Sequence, residues 1–119
     1  MREPPSQGEV WLAGLTDGPA RPAIIVSRNE LNRGRLVLVV PCTTARVRER
    51  AALPNHVLLP RGEAGLSEDS VAQAHLIQHL DVSLLVRRLG CLDTERLADV
   101  LLALAWSVDL FGSTDAWQS

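Results

Sequence analysis

A chain of 119 residues, 46% apolar and 22% charged, is sized for one globular domain that buries roughly two-thirds of its unfolded surface. Its two cysteines, Cys42 and Cys91, are too few for a disulfide framework or a metal cluster, and its longest apolar stretch (97–111) is broken by Asp99 and Asp109, which argues against a membrane span. The net charge of −2 hides a division: residues 1–61 hold nine arginines against five acids, residues 62–119 three against nine. A basic half of this kind can build an anion-binding face on an acidic protein. Lysine is absent, which reads as compositional bias, although arginine suits two-pronged phosphate contacts. The start, "MREPPSQ", lacks the apolar core of a signal peptide, so a cytoplasmic location with reduced thiols is expected.

In chain order, "GEVWLAGL" (8–15), "PAIIVS" (22–27), "RLVLVVP" (35–41) and "HVLLP" (56–60) read as short strands, and "SVAQAHLIQHL" (70–80) as a longer, more polar one. The gaps are too short for crossover helices, so the pairing should be antiparallel. The period then changes. Asp93 is a candidate N-cap and Gly112 a candidate stop for one helix, with Leu97, Leu101, Leu104, Val108 and Phe111 as its apolar stripe. Val100, Leu102, Ala105 and Trp106 widen that stripe, which suggests an additional face for a subunit interface. The expected fold is mainly β with a C-terminal α-helix (α+β). It forms a single domain, 1–119, with a core over 7–112 and loose ends at 1–7 and 113–119.

One stretch points to chemistry. "LVLVVPCTTARVRER" (36–50) is a buried run that ends in Thr43 and Thr44 and continues into Arg46, Arg48 and Arg50. Strand ends hand side chains to loops, and hydroxyls beside guanidiniums suit an anion. If Thr43 and Thr44 continue the strand, they face opposite ways. In an extended loop the three arginines would line one side as a rail for a phosphate backbone; a solvated charged loop is the other reading. His75 and His79, four apart, would suit a metal on a helix, but they fall in strand-like sequence with no glutamate following the first, so neither metal nor cofactor is expected.

The ordered set "GEVWLAGL", "RPAIIVSRNELN", "VVPCTTARVR", "LPNHVLL" and "GLSEDSV", followed by a helix, resembles the MazF/PemK family of toxin endoribonucleases over about residues 7–111. The resemblance implies an SH3-like antiparallel barrel, a homodimer, a cognate antitoxin as partner, and cleavage of single-stranded RNA without a metal. It also implies a catalytic pair, which falls here on Arg21 and Thr43. Thr44, Arg46, Arg48 and Arg28 are then RNA-binding candidates. The chemistry suits the residues: when a 2′-hydroxyl attacks the adjacent phosphorus, charge builds on the phosphoryl oxygens, and a fork-shaped guanidinium can hold two of them.

The sequence also departs from the family. His75 stands where an acidic residue is usual, Leu76 where a glutamine is, and Gln78 and His79 where Arg-Thr would be. His75 can serve as base or acid near neutral pH, or be a half-buried strand histidine. The loop "TDGPA" is short, and aromatic residues for base stacking are scarce. Two other outcomes stay open: a non-enzymatic inhibitor on the same barrel, like the gyrase poisons, which would use the "STDAWQS" end with Trp117, and a catalytically silent family member.

Overall fold

The computed structural model describes residues 3–110. Three strands, β1 (Glu9–Ala13), β2 (Arg21–Ile25) and β3 (Leu36–Thr43), pair antiparallel in chain order, with Val10 opposite Ile24 and Ile24 opposite Val40. After β3 come a short helix α1 (Val47–Ala51), then β4 (His56–Leu59), β5 (Ser70–Gln73), β6 (Gln78–Asp81), β7 (Leu85–Cys91) and the helix α2 (Thr94–Ser107). The seven strands form one antiparallel sheet in the order β4-β5-β3-β2-β1-β7, with β6 also on β3. This is the mainly β fold with a C-terminal helix that the sequence predicts.

The free edge of β3 is shared. Leu36–Val39 pair with β6, and Cys42 and Thr43 pair with β5. The run 70–80 is therefore not one strand. From Ala72 to Gln78 the chain takes six steps, while its partners on β3, Cys42 and Val39, are three apart. The surplus is taken up by a 3₁₀ turn, Ala74–Leu76, pinned by the Ala74 N–H donating to the Asn55 carbonyl at 3.0 Å.

The two ends of the strand path meet. The turn Glu63–Gly65, after β4, lies against β7: a Cβ on Gly65 (φ +78°) would land on the Leu89 carbonyl, and one on Gly90 would reach within 2.5 Å of the Ala64 carbonyl carbon. Only glycines allow backbones this close. Arg96 of α2 clamps the same turn, donating from Nε and Nη2 to the Glu63 carboxylate at 2.9 and 2.8 Å.

Side-chain alternation on the strands fills two cores. Val10, Ile24, Val40, Cys42, Leu59 and Ala72 pack with Val100 of α2 on one side. Trp11, Ala13, Ala23, Ile25, Val37, Val39, Leu80 and Leu85 fill the other. Full burial of each large aliphatic residue contributes about 1.5–3 kcal/mol. Asp93 caps α2 as expected, its carboxylate accepting the Arg96 N–H at 2.7 Å. Leu97 and Leu101 pack inward, but Leu102, Trp106 and Val108 stay exposed on the single chain. Phe111, Gly112 and the "STDAWQS" end lie outside the described residues. No helix among the described residues is long and apolar enough to cross a membrane.

The expected arginine rail needs correction. Residues 47–51 are helical, not extended, with the Arg50 N–H donating to the Arg46 carbonyl at 3.0 Å. Arginine, glutamate and alanine are good helix formers. Arg46 precedes the helix in left-handed backbone, and on the helix Arg48 and Arg50, two apart, point to different sides, so the three do not form one row.

Candidate active site

Antiparallel register brings the two sequence candidates together. Ala23 of β2 pairs with Pro41 of β3. The paired register ends there, and Arg21, two residues before Ala23, and Thr43, two residues after Pro41, extend beyond it at the same end of the two strands. Pro22 between them donates nothing to the ladder and holds Arg21 in extended backbone. Arg21 and Thr43 line one cleft of about 470 Å³, together with Arg50, Gln73 and Gln78. Arg21 is exposed, while Thr43 and Arg50 are half-buried.

Within this cleft, Thr43 Oγ1 accepts the Ala45 N–H at 3.2 Å, which leaves its own proton to donate to a ligand. Cys42 also borders the cleft, but burial pushes its thiol up to about 12, so it is no nucleophile near neutral pH. The cleft thus offers two guanidiniums, the hydroxyls of Thr16 and Thr43 and two carboxamides, a set of donors suited to a phosphodiester.

Arg21 is also a wall of a second cleft of about 430 Å³, where Thr44, Ser67, Glu68 and Arg87 join it over an apolar floor of Leu12, Leu66 and Leu89. Strand β3 ends at Thr43, and Thr44, one residue on, opens to this other side. Arg87 arrives through β7, where it pairs with Leu12, itself paired with Pro22.

The remaining candidates are placed elsewhere. His75 sits exposed on the Ala74–Leu76 turn and lines neither cleft, although Leu76 beside it does. Its Nδ1 lies 2.8 Å from Asn55 Nδ2, and its ring stands 5.2 Å from that of His56. Burial, and then the charges of His75 and Arg50, hold the His56 imidazole below its ordinary value. Arg46 and Arg48 are exposed and line neither cleft. Arg28 lies past the far end of β2, paired with Glu30 at 3.0 Å. His79 is on β6, so the helical metal spacing does not arise.

The sequence reading did not single out Gln73, Glu68 or Arg87. Gln73 is a polar position inside an apolar run, the one signal that could have marked it. Arg87 lies on a strand whose adjacent arginines hid it, and Glu68 is one of several acids in a turn-rich stretch.

A curled antiparallel sheet with a cationic cleft where β2 begins and β3 ends defines a class, and comparison with known proteins assigns it. Residues 6–108 match the family described as PemK-like, MazF-like toxin of type II toxin-antitoxin system, and the chain belongs to this family. A probable endoribonuclease MazF5 of Mycobacterium tuberculosis (strain ATCC 25618 / H37Rv) is 33% identical over 106 residues, covering 88% of this chain and 94% of the relative. Among solved structures, an endoribonuclease in complex with its cognate antitoxin from Mycobacterial species is similar, with a TM-score of 0.77 at 28% identity, covering 89% of this chain and 96% of that one. A MazE-MazF complex from Deinococcus radiodurans has a TM-score of 0.70 at 26% identity, covering 90% and 97%.

Proposed function

We propose that this protein is a toxin endoribonuclease that cleaves single-stranded RNA without a metal. The 2′-oxygen attacks the adjacent phosphorus, the P–O5′ bond breaks, and a 2′,3′-cyclic phosphate and a 5′-hydroxyl result. Arg21 holds the phosphoryl oxygens as charge builds on them, and Thr43 donates its free proton to the same group. The observation that carries this reading is that Arg21 and Thr43, at the same end of the β2–β3 pair, line one cleft. The names of the relatives, endoribonucleases found with a cognate antitoxin, support it. A homodimer and a small antitoxin that covers the cleft complete the proposal, with the cytoplasm as the place of action.

The test is a long single-stranded RNA incubated with the protein in EDTA, beside Arg21→Ala, with the ends mapped. Cuts that persist in EDTA and end in 2′,3′-cyclic phosphate are expected, with a loss of about 10²–10³ in rate for the variant. RNA left intact by folded protein would defeat the proposal.

A further inference from the structure

A 2′-hydroxyl must give up its proton to attack, and the first cleft holds nothing to receive it. Its titratable groups are Arg21, Arg50 and Cys42, two permanent cations and a thiol at about 12. His75, the expected base, lines neither cleft. Across Arg21, however, the second cleft contains a carboxylate, Glu68, and no other group able to accept a proton near neutral pH.

We infer that Glu68 is the proton acceptor of the reaction, an inference that rests on the ribonuclease reading above. A phosphate held by Arg21 sits on the wall common to both clefts, so a ribose leaning into the second cleft brings its 2′-hydroxyl to the Glu68 side. The 2′-O–P bond forms as that proton passes to the Glu68 carboxylate. The P–O5′ bond breaks, and the leaving 5′-oxygen takes a proton from water in the open cleft.

The surroundings suit this role. Two cations line the same cleft as Glu68, Arg21 from β2 and Arg87 from β7, and neither forms an ion pair with it among the described residues. The carboxylate therefore remains available to a substrate. Its loop is tied down on both sides: the Ser70 hydroxyl donates to the Glu68 carbonyl at 3.1 Å, and the Arg61 N–H donates to Asp69 Oδ1 at 2.8 Å. Behind the loop, the glycine contact between Gly65 and β7 and the Arg96 clamp on Glu63 fix its root. The side chain stands on a rigid support, as a base needs.

The experiment is the pH dependence of RNA cleavage by wild type, Glu68→Gln, Glu68→Asp and His75→Ala, with circular dichroism at each pH to confirm folding. Glu68→Gln keeps the shape and the backbone bonds but cannot accept the proton. It should cut about 10²–10⁴-fold more slowly and lose the acid limb of the profile. Glu68→Asp should keep that limb at a reduced rate, and His75→Ala should keep it too. If Glu68→Gln retains the wild-type profile, or if His75→Ala removes the limb, the inference is wrong while the ribonuclease reading survives. A folded wild type that leaves RNA intact overturns both.

Discussion

At Thr43 the hydroxyl oxygen is already engaged by the Ala45 N–H, so what it can give a ligand is its proton. Cys42, the preceding residue, has a reactive atom but cannot use it, because burial holds the thiol protonated at about 12. The two side chains border the same cleft with opposite prospects, and the difference is environment. Replacing Thr43 by valine keeps the shape and removes only the hydroxyl. The Ala45 N–H is exposed, so water can take over its bond and stability should change by no more than about 0.5 kcal/mol. Cleavage by Thr43→Val should fall by about 10²–10³, whereas Thr43→Ser should retain most of the rate. Steady-state kinetics on one short RNA, with melting curves alongside, decide it. A valine variant as active as the wild type would remove Thr43 from the reaction.

Among the elements, the contact between the Glu63–Gly65 turn and β7 joins the two ends of the strand path, and two glycines permit it. Gly65→Ala combines a positive φ with a Cβ placed on the Leu89 carbonyl, and should cost about 2–4 kcal/mol in urea unfolding. Arg96→Ala removes a half-exposed clamp on the same turn and should cost about 1–2 kcal/mol. The reverse ranking would mean that the clamp, not the close approach, joins the ends. Nothing in the sequence announced this contact, since β7 carries exposed Val86, Arg87 and Arg88 and shows little of the alternation of a half-buried strand. The strands β1 to β3 and the cap of α2 were legible, because short β-branched apolar runs between Gly and Pro and an aspartate before a helical stripe are local signals. The split of 70–80 was not, because it depends on β3 having two partners on one edge. The helical α1 was missed for a different reason: alternating arginines fit an extended loop by pattern, while their propensity favoured a helix. Arg21 and Thr43 were found through the ordered family resemblance. Their juxtaposition across two strands follows from register, which no single stretch of sequence contains.

Over the whole molecule, the arginines held in ion pairs lie away from the clefts, as do Arg33, Arg46, Arg48 and Arg61, which are in no ion pair among the described residues. Arg28, Arg35, Arg88 and Arg96 are matched with acids, and none of them lines either cleft. Arg21, Arg50 and Arg87, which do line the clefts, make no ion pair among the described residues. A protein of net charge −2 thus carries three guanidiniums against one carboxylate, Glu68, where the substrate is proposed to lie. Because long-range attraction is weak at that net charge, the salt dependence of binding should report local contacts. Each phosphate neutralised on a single strand contributes a slope of about −0.7 in log K against log salt. Three contacts predict about −2, measurable with fully 2′-O-methylated RNA, which binds but lacks the attacking hydroxyl. Arg50→Ala should flatten the slope to about −1.4, since alanine preserves α1 and removes one contact. A slope steeper than about −3 would bring Arg46 and Arg48 into the path of the strand. A slope unchanged by Arg50→Ala would mean that the RNA does not pass through the first cleft, and the phosphate would then have to be sought on the Arg87 side of Arg21.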